Sequence, residues 1–208
     1  MQNLFESFSI QFVLQIHYLA EMAAALVLYI ICLFLFFRRK TPAQKFWLGV
    51  LFVYLGVIWG ITVSLPLPNA WHINAKNTTF VLKNIQWIPF RSAGNILHNS
   101  FVTGNFKEFI RVIGGNFIML MPLGVLVPLC NSNFRIGRMV LVAILVPVGI
   151  EGLQLVGNIL SGSAIRTVEM EDVVLNAAGC ILAYLVFAGL RNLFRPKKKK
   201  KRYASARR

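Results

Sequence analysis

Five runs of about 20 mainly apolar residues recur along the chain, at roughly 15–37, 46–67, 111–129, 138–160 and 173–194. A run of that length matches the hydrocarbon thickness of a bilayer, and there a helix satisfies every backbone N–H and C=O within its own segment. The fold class that follows is an all-α membrane protein, a bundle of about five transmembrane helices. Residues 1–67 hold two N-terminal spans, 68–194 hold a long loop (68–110) and three more spans, and 195–208 form a polybasic tail. The loop is too long for a tight hairpin. It carries an aromatic segment, Ile85 to Asn95, expected to lie in or dip into the membrane interface.

Composition agrees: 57% of the 208 residues are hydrophobic and only 14% charged, outside the range of a water-soluble domain. The formal net charge of +15 invites a nucleic-acid reading, but ten of the 22 Lys and Arg fall in the last 18 residues. A basic tail directly after a span meets anionic lipid headgroups, and nucleic acid is not an expected partner. Arg38 to Lys40, Arg135 with Arg138, and the tail share one side of a five-span bundle. The positive-inside rule makes that side cytoplasmic, with the N-terminus outside and residues 68–110 as an extracytoplasmic loop.

Few side chains could do chemistry. His17 and Glu21 sit one turn apart near the start of the first span and read as an interfacial pair. Asn116 lies in the third span, where Pro122 is expected to kink the helix and Gly114, Gly115 and Gly124 permit close packing. Glu151 and Gln154 are one turn apart in the fourth span. An ionisable group there has to be protonated, paired or in contact with water. Before the fifth span come Arg166, Glu169, Glu171 and Asp172. If Asp172 opens that helix, Glu169, Asp172, Asn176 and Gly179 fall along one face at i, i+3, i+7 and i+10. With the orientation above, Asn116, Glu151, Gln154, Arg166, Glu169, Asp172 and Asn176 all map to the outward half of the bundle.

No Ser/His/Asp set, no Cys/His pair and no metal-ligand spacing is present, so no metal and no cofactor is expected. Cys32, Cys130 and Cys180 are far apart in sequence, within or at the edges of apolar runs, and no disulfide is expected.

Four motifs in order resemble the VanZ-like family of bacterial membrane proteins: Ile88-Pro89-Phe90; Asn116 followed by Pro122-Leu123-Gly124; Glu151 with Gln154; and Arg166, Glu169, Asp172, Asn176, Gly179. The resemblance spans roughly Ile85 to Phe187, leaving out the first two spans and the tail. Glu169, with Glu171, stands where the family tends to have Asp. The resemblance implies a multi-pass protein of the bacterial cell membrane, in a family named for a member associated with resistance to the glycopeptide teicoplanin. Pro89, Pro122, Gly124 and Gly179 are then motif positions of structural kind.

Three functional classes stay open on the residues. The first, taken here as the expectation, is a non-enzymatic envelope protein whose outward polar pocket binds a lipid-linked cell-wall precursor or an amphiphile such as a lipoglycopeptide. The second is an intramembrane enzyme with Glu151 and Glu169 or Asp172 as acid and base, and the third a proton-linked transporter. Against all three stands plain bracing, in which Glu151 and Arg166 pair to hold two helices together.

Overall fold

The computed structural model of the protein describes residues 22–63, 65–66, 68–131 and 134–194. The pair His17 and Glu21, the first part of the first span and the tail 195–208 lie outside the described residues. The described chain is helical, with no strand and one isolated backbone bridge. In chain order the helices are α1 (Met22–Leu35), α2 (Pro42–Thr62), α3 (Ala75–Lys83), α4 (Arg91–Thr103), α5 (Lys107–Cys130), α6 (Ile136–Ser161) and α7 (Met170–Leu193). Helices α2, α5, α6 and α7 are long and apolar enough to cross a membrane, and α1 is a shorter apolar helix.

The boundaries shift from the sequence expectation for local reasons. Helix α2 starts at Pro42 because Thr41 and Gln44 form a reciprocal capping box, each side chain accepting the other's backbone N–H (3.3 and 3.2 Å). It stops at Thr62, ahead of Pro66. The expected loop 68–110 is mostly helix: α3 is capped by the Asn74 side chain, and α4 and the start of α5 follow it. In the aromatic segment Trp87, Ile88 and Phe90 are all exposed.

Helix α5 is broken, as its prolines and glycines foreshadowed. Ile110–Gly114 winds as a wide π turn and the helix interrupts at Leu120. Pro122, with no N–H to give, falls in the first turn of the segment that resumes at Met121. Beyond the break Leu123 N–H bonds the Leu120 carbonyl, and the Met119 carbonyl accepts from the Tyr54 hydroxyl of α2 at 2.6 Å. A tertiary hydrogen bond thus serves the backbone where the helical ladder is interrupted.

Helices α5, α6 and α7 pack around Leu120, Met139, Ala143 and Cys180, all fully buried, with Ile58 of α2 closing one side. Two glycines make the α5–α7 crossing close. A Cβ on Gly179 would collide with the Phe117 carbonyl oxygen, and one on Gly124 with the Cys180 carbonyl oxygen. Backbones this near each other are the usual result of small residues at membrane helix contacts. Cys32, Cys130 and Cys180 are free thiols.

The Arg166 guanidinium donates to the Ile61 carbonyl at 3.1 Å. That contact puts the C-terminal end of α2 beside the turn before α7, so its basic start, Arg38 to Lys40, stands at the opposite end with Arg135 and Arg138. The grouping of these cations on one side, expected from the sequence, holds in the fold.

Candidate functional site

The polar residues converge where the α6–α7 turn meets the loop before α4. The turn is held by α6. Asn158, only 3% exposed, donates through Nδ2 to the Arg166 carbonyl (2.7 Å) and accepts from Arg166 N–H through Oδ1 (3.1 Å). Three residues on, Glu169 N–H donates to Oε2 of Glu151 at 3.0 Å. Glu151 is 8% exposed, so a carboxylate within a span finds its partner in a backbone amide rather than in an arginine. The Glu151–Arg166 pairing considered from the sequence is not formed.

Helix α7 begins one residue after Glu169. Gln86 N–H donates to the Val168 carbonyl (2.9 Å) and Met170 N–H donates to the Gln86 carbonyl (3.0 Å), a short parallel bridge that serves the first helical amide. The start is therefore earlier than Asp172, and Glu171 and Asp172 both occupy the first turn, where negative charge suits the helix dipole.

Pro89 and Phe90 aim α4 at this turn. Phe90 has φ 64°, the one positive φ of a non-glycine residue among those described, a conformation that costs on the order of 1–3 kcal/mol and is tolerated where the surroundings enforce it. It brings the start of α4 against α7, where Ala93 N–H donates to Oε2 of Glu171 at 3.2 Å. Glu171 is 1% exposed. From α5, the Asn116 amide donates to Oδ1 of Asp172. Asn176, 2% exposed, donates to the Asp172 carbonyl at 2.8 Å.

Of the seven candidates, Asn116, Glu151, Glu169, Asp172 and Asn176 thus meet through direct contacts or shared backbone. Gln154 is half-buried one turn along α6. Arg166 is exposed and occupied by Ile61; neither it nor Gln154 lines the crevice described next. Two residues outside the candidate set belong to the site. Glu171 lies off the i, i+3, i+7 stripe, and that other face of α7 is the one α4 covers. Asn158 has a sequence signal, an amide inside an apolar run, but its backbone partners at Arg166 are a tertiary matter.

Beside the acids lies a crevice of about 220 Å³ between α6, the start of α7 and the Ile85–Trp87 segment. Its walls are largely apolar, including Val148, Leu155, Trp87 and Val173, and Glu151 and Glu169 line it as well. The Glu169 carboxyl is raised above its ordinary range, first by burial and then by the charge of Glu171, with a hydrogen bond from Ser92 opposing. A protonated carboxyl can donate as well as accept, and ionised carboxylates hold hydroxyl and ammonium groups.

No curated protein and no solved structure matches the chain. The VanZ/LLP1 family model matches residues 51–194, well over half of the chain, and reaches back through most of α2, further than the motifs alone. Every residue of the polar cluster and both glycines of the α5–α7 crossing fall inside it, and the chain belongs to the VanZ/LLP1 family.

Proposed function

We propose that this membrane protein binds an amphiphilic ligand of the bacterial cell envelope, lipid-linked or lipidated, with a stretch of its apolar chain in the crevice and its headgroup against the acids. The carrying observation is the junction itself: an apolar crevice of about 220 Å³ whose lining includes Glu151 and Glu169, at the end of a bundle able to span a membrane. The crevice is smaller than a pocket that encloses a whole drug-sized ligand, so it takes a segment of a chain. The acidic groups accept from a headgroup rich in hydroxyl or amine donors, as a sugar or peptide is. With the basic end cytoplasmic, the crevice opens to the outer leaflet of the cell membrane. Teicoplanin, a lipidated glycopeptide, is a ligand of this kind, and resistance would follow from its capture.

The test is the lipid complement of the full-length protein taken from a Gram-positive host in native nanodiscs, compared with Val148→Trp, which fills the crevice from its outer wall. Enrichment of one envelope amphiphile in the wild type, lost in Val148→Trp at equal abundance and displaced by added teicoplanin, supports the reading. Identical lipid complements in the two proteins would sink it.

A further inference from the structure

The acids at the start of α7 are more crowded than their hydrogen bonds account for. Glu169, Glu171 and Asp172 each offer a carboxylate oxygen, and these oxygens all lie within 4.8 Å of one another. Each acid is held from outside the group: Glu171 by Ala93 N–H, Asp172 by the Asn116 amide, and Glu169 by Ser92. That leaves oxygens to spare. Glu169 Oε2 and Glu171 Oε1 are buried with no hydrogen-bond partner, and so is Oδ1 of Asn176, one turn along from Asp172. Glu171 and Asn176 are 1% and 2% exposed, so water does not serve them from the surface. Every unserved atom is an acceptor, and an acceptor cluster of this kind is completed by a cation or by protons.

We propose that Glu169, Glu171 and Asp172 bind a divalent cation of the hard, oxygen-seeking class, Ca²⁺ or Mg²⁺. Two oxygens on opposite sides of a Ca²⁺ ion, each at 2.3–2.6 Å, stand roughly 4.6–5.2 Å apart. A set confined to 4.8 Å is therefore small enough to share one Ca²⁺ ion, and Mg²⁺, at 2.0–2.1 Å, draws it in to about 4.2 Å. An all-oxygen donor set with no thiol or imidazole selects Ca²⁺, Mg²⁺ or Mn²⁺ over zinc and copper. Asn116, Ser92 and the Ala93 amide orient the ligating carboxylates, as outer partners do in metal sites. The ion ties the start of α7 to the loop before it, and this holds whether or not the crevice takes an amphiphile. The sequence shows no metal spacing because three acids within four residues look like a solvated helix start; α4 and α5 are what bury them.

The probe is Mn²⁺, titrated into the full-length protein in phosphatidylcholine nanodiscs after chelator treatment, with the free-ion signal followed by electron paramagnetic resonance. The expected result is one Mn²⁺ bound per chain at neutral pH, displaced by Ca²⁺ or Mg²⁺ and not by K⁺. Glu169→Gln and Asp172→Asn each weaken it by about tenfold or more, while Glu108→Gln, an exposed acid at the start of α5, leaves it unchanged. No Mn²⁺ uptake by the folded wild type up to millimolar concentration, or uptake that Glu169→Gln and Asp172→Asn leave intact, would overturn the proposal and assign the acids to protons alone. The wild-type titration decides the matter even if a variant does not fold.

Discussion

The two ends of the α6–α7 pair handle charge in opposite ways. At one end Arg135, Arg138 and Arg191 line a cavity of about 920 Å³ together with Asn131 and Tyr184, and Arg135 and Arg138 are exposed. The long side chains of Arg135 and Arg138 can lay their stems along apolar surface while their heads reach water. At the other end the acids are short, and Glu151 and Glu171 are buried; backbone amides from the turn and from α4, and an amide side chain from α5, hold this group. The lesson is that the exposed cations of the basic end need little from the rest of the fold, whereas the acidic end is assembled from four separate parts of the chain.

The sharpest way to break this contrast is to disturb what holds α7 against α5. Gly179→Ala places a methyl group against the Phe117 carbonyl, and a loss of about 2–3 kcal/mol is expected, read as a lower unfolding temperature in detergent and lower membrane abundance. Next comes Glu171→Ala, which strands the Ala93 N–H in a buried place. The expected cost is about 1–3 kcal/mol, with Glu171→Gln, which keeps an acceptor and removes a charge, costing less. Should Glu171→Ala leave stability unchanged, the acidic end would be no more built than the basic one.

The acidic end should also respond to pH. Because the folded carboxyl of Glu169 titrates above its ordinary value of 4.5, the folded state binds the proton more tightly than the unfolded one. Its penalty is absent below 4.5 and sets in as pH rises through the raised folded value. With chelator present, unfolding temperature is expected to fall as pH rises through that window, and the Glu169→Gln profile to be flatter. The smallest effect belongs to the basic end: Arg138→Ala should change stability by no more than about 0.5 kcal/mol and leave Mn²⁺ uptake untouched.

Much of the site was legible in order but not in arrangement. Asn116, Glu151, Glu169, Asp172 and Asn176 are conspicuous as polar residues in or beside apolar runs, and helical spacing puts the last three on one stripe. Arg166 was equally conspicuous, yet its guanidinium serves a backbone carbonyl of α2. Glu171 was visible and undervalued, since the stripe that selected its neighbours gave it no partner. Helices α3 and α4 were hidden because their mixed composition lacks the long apolar run by which the spans were found.

Linear pattern is enough to put this chain in a membrane, to make it helical, to say where its cations gather, and to show that its few acids are concentrated before the last span. Run length and local charge settle those matters, since each depends on neighbours along the chain. Which acids are buried, and what they touch, came from packing. Glu151 meets the Glu169 amide across 18 residues, Asp172 meets Asn116 across 56, and Glu171 meets Ala93 across 78. A carboxylate's partner is set by which backbone amides packing leaves within about 3 Å of it, and the close glycine crossing of α5 and α7 together with the turn at Phe90 makes that choice here.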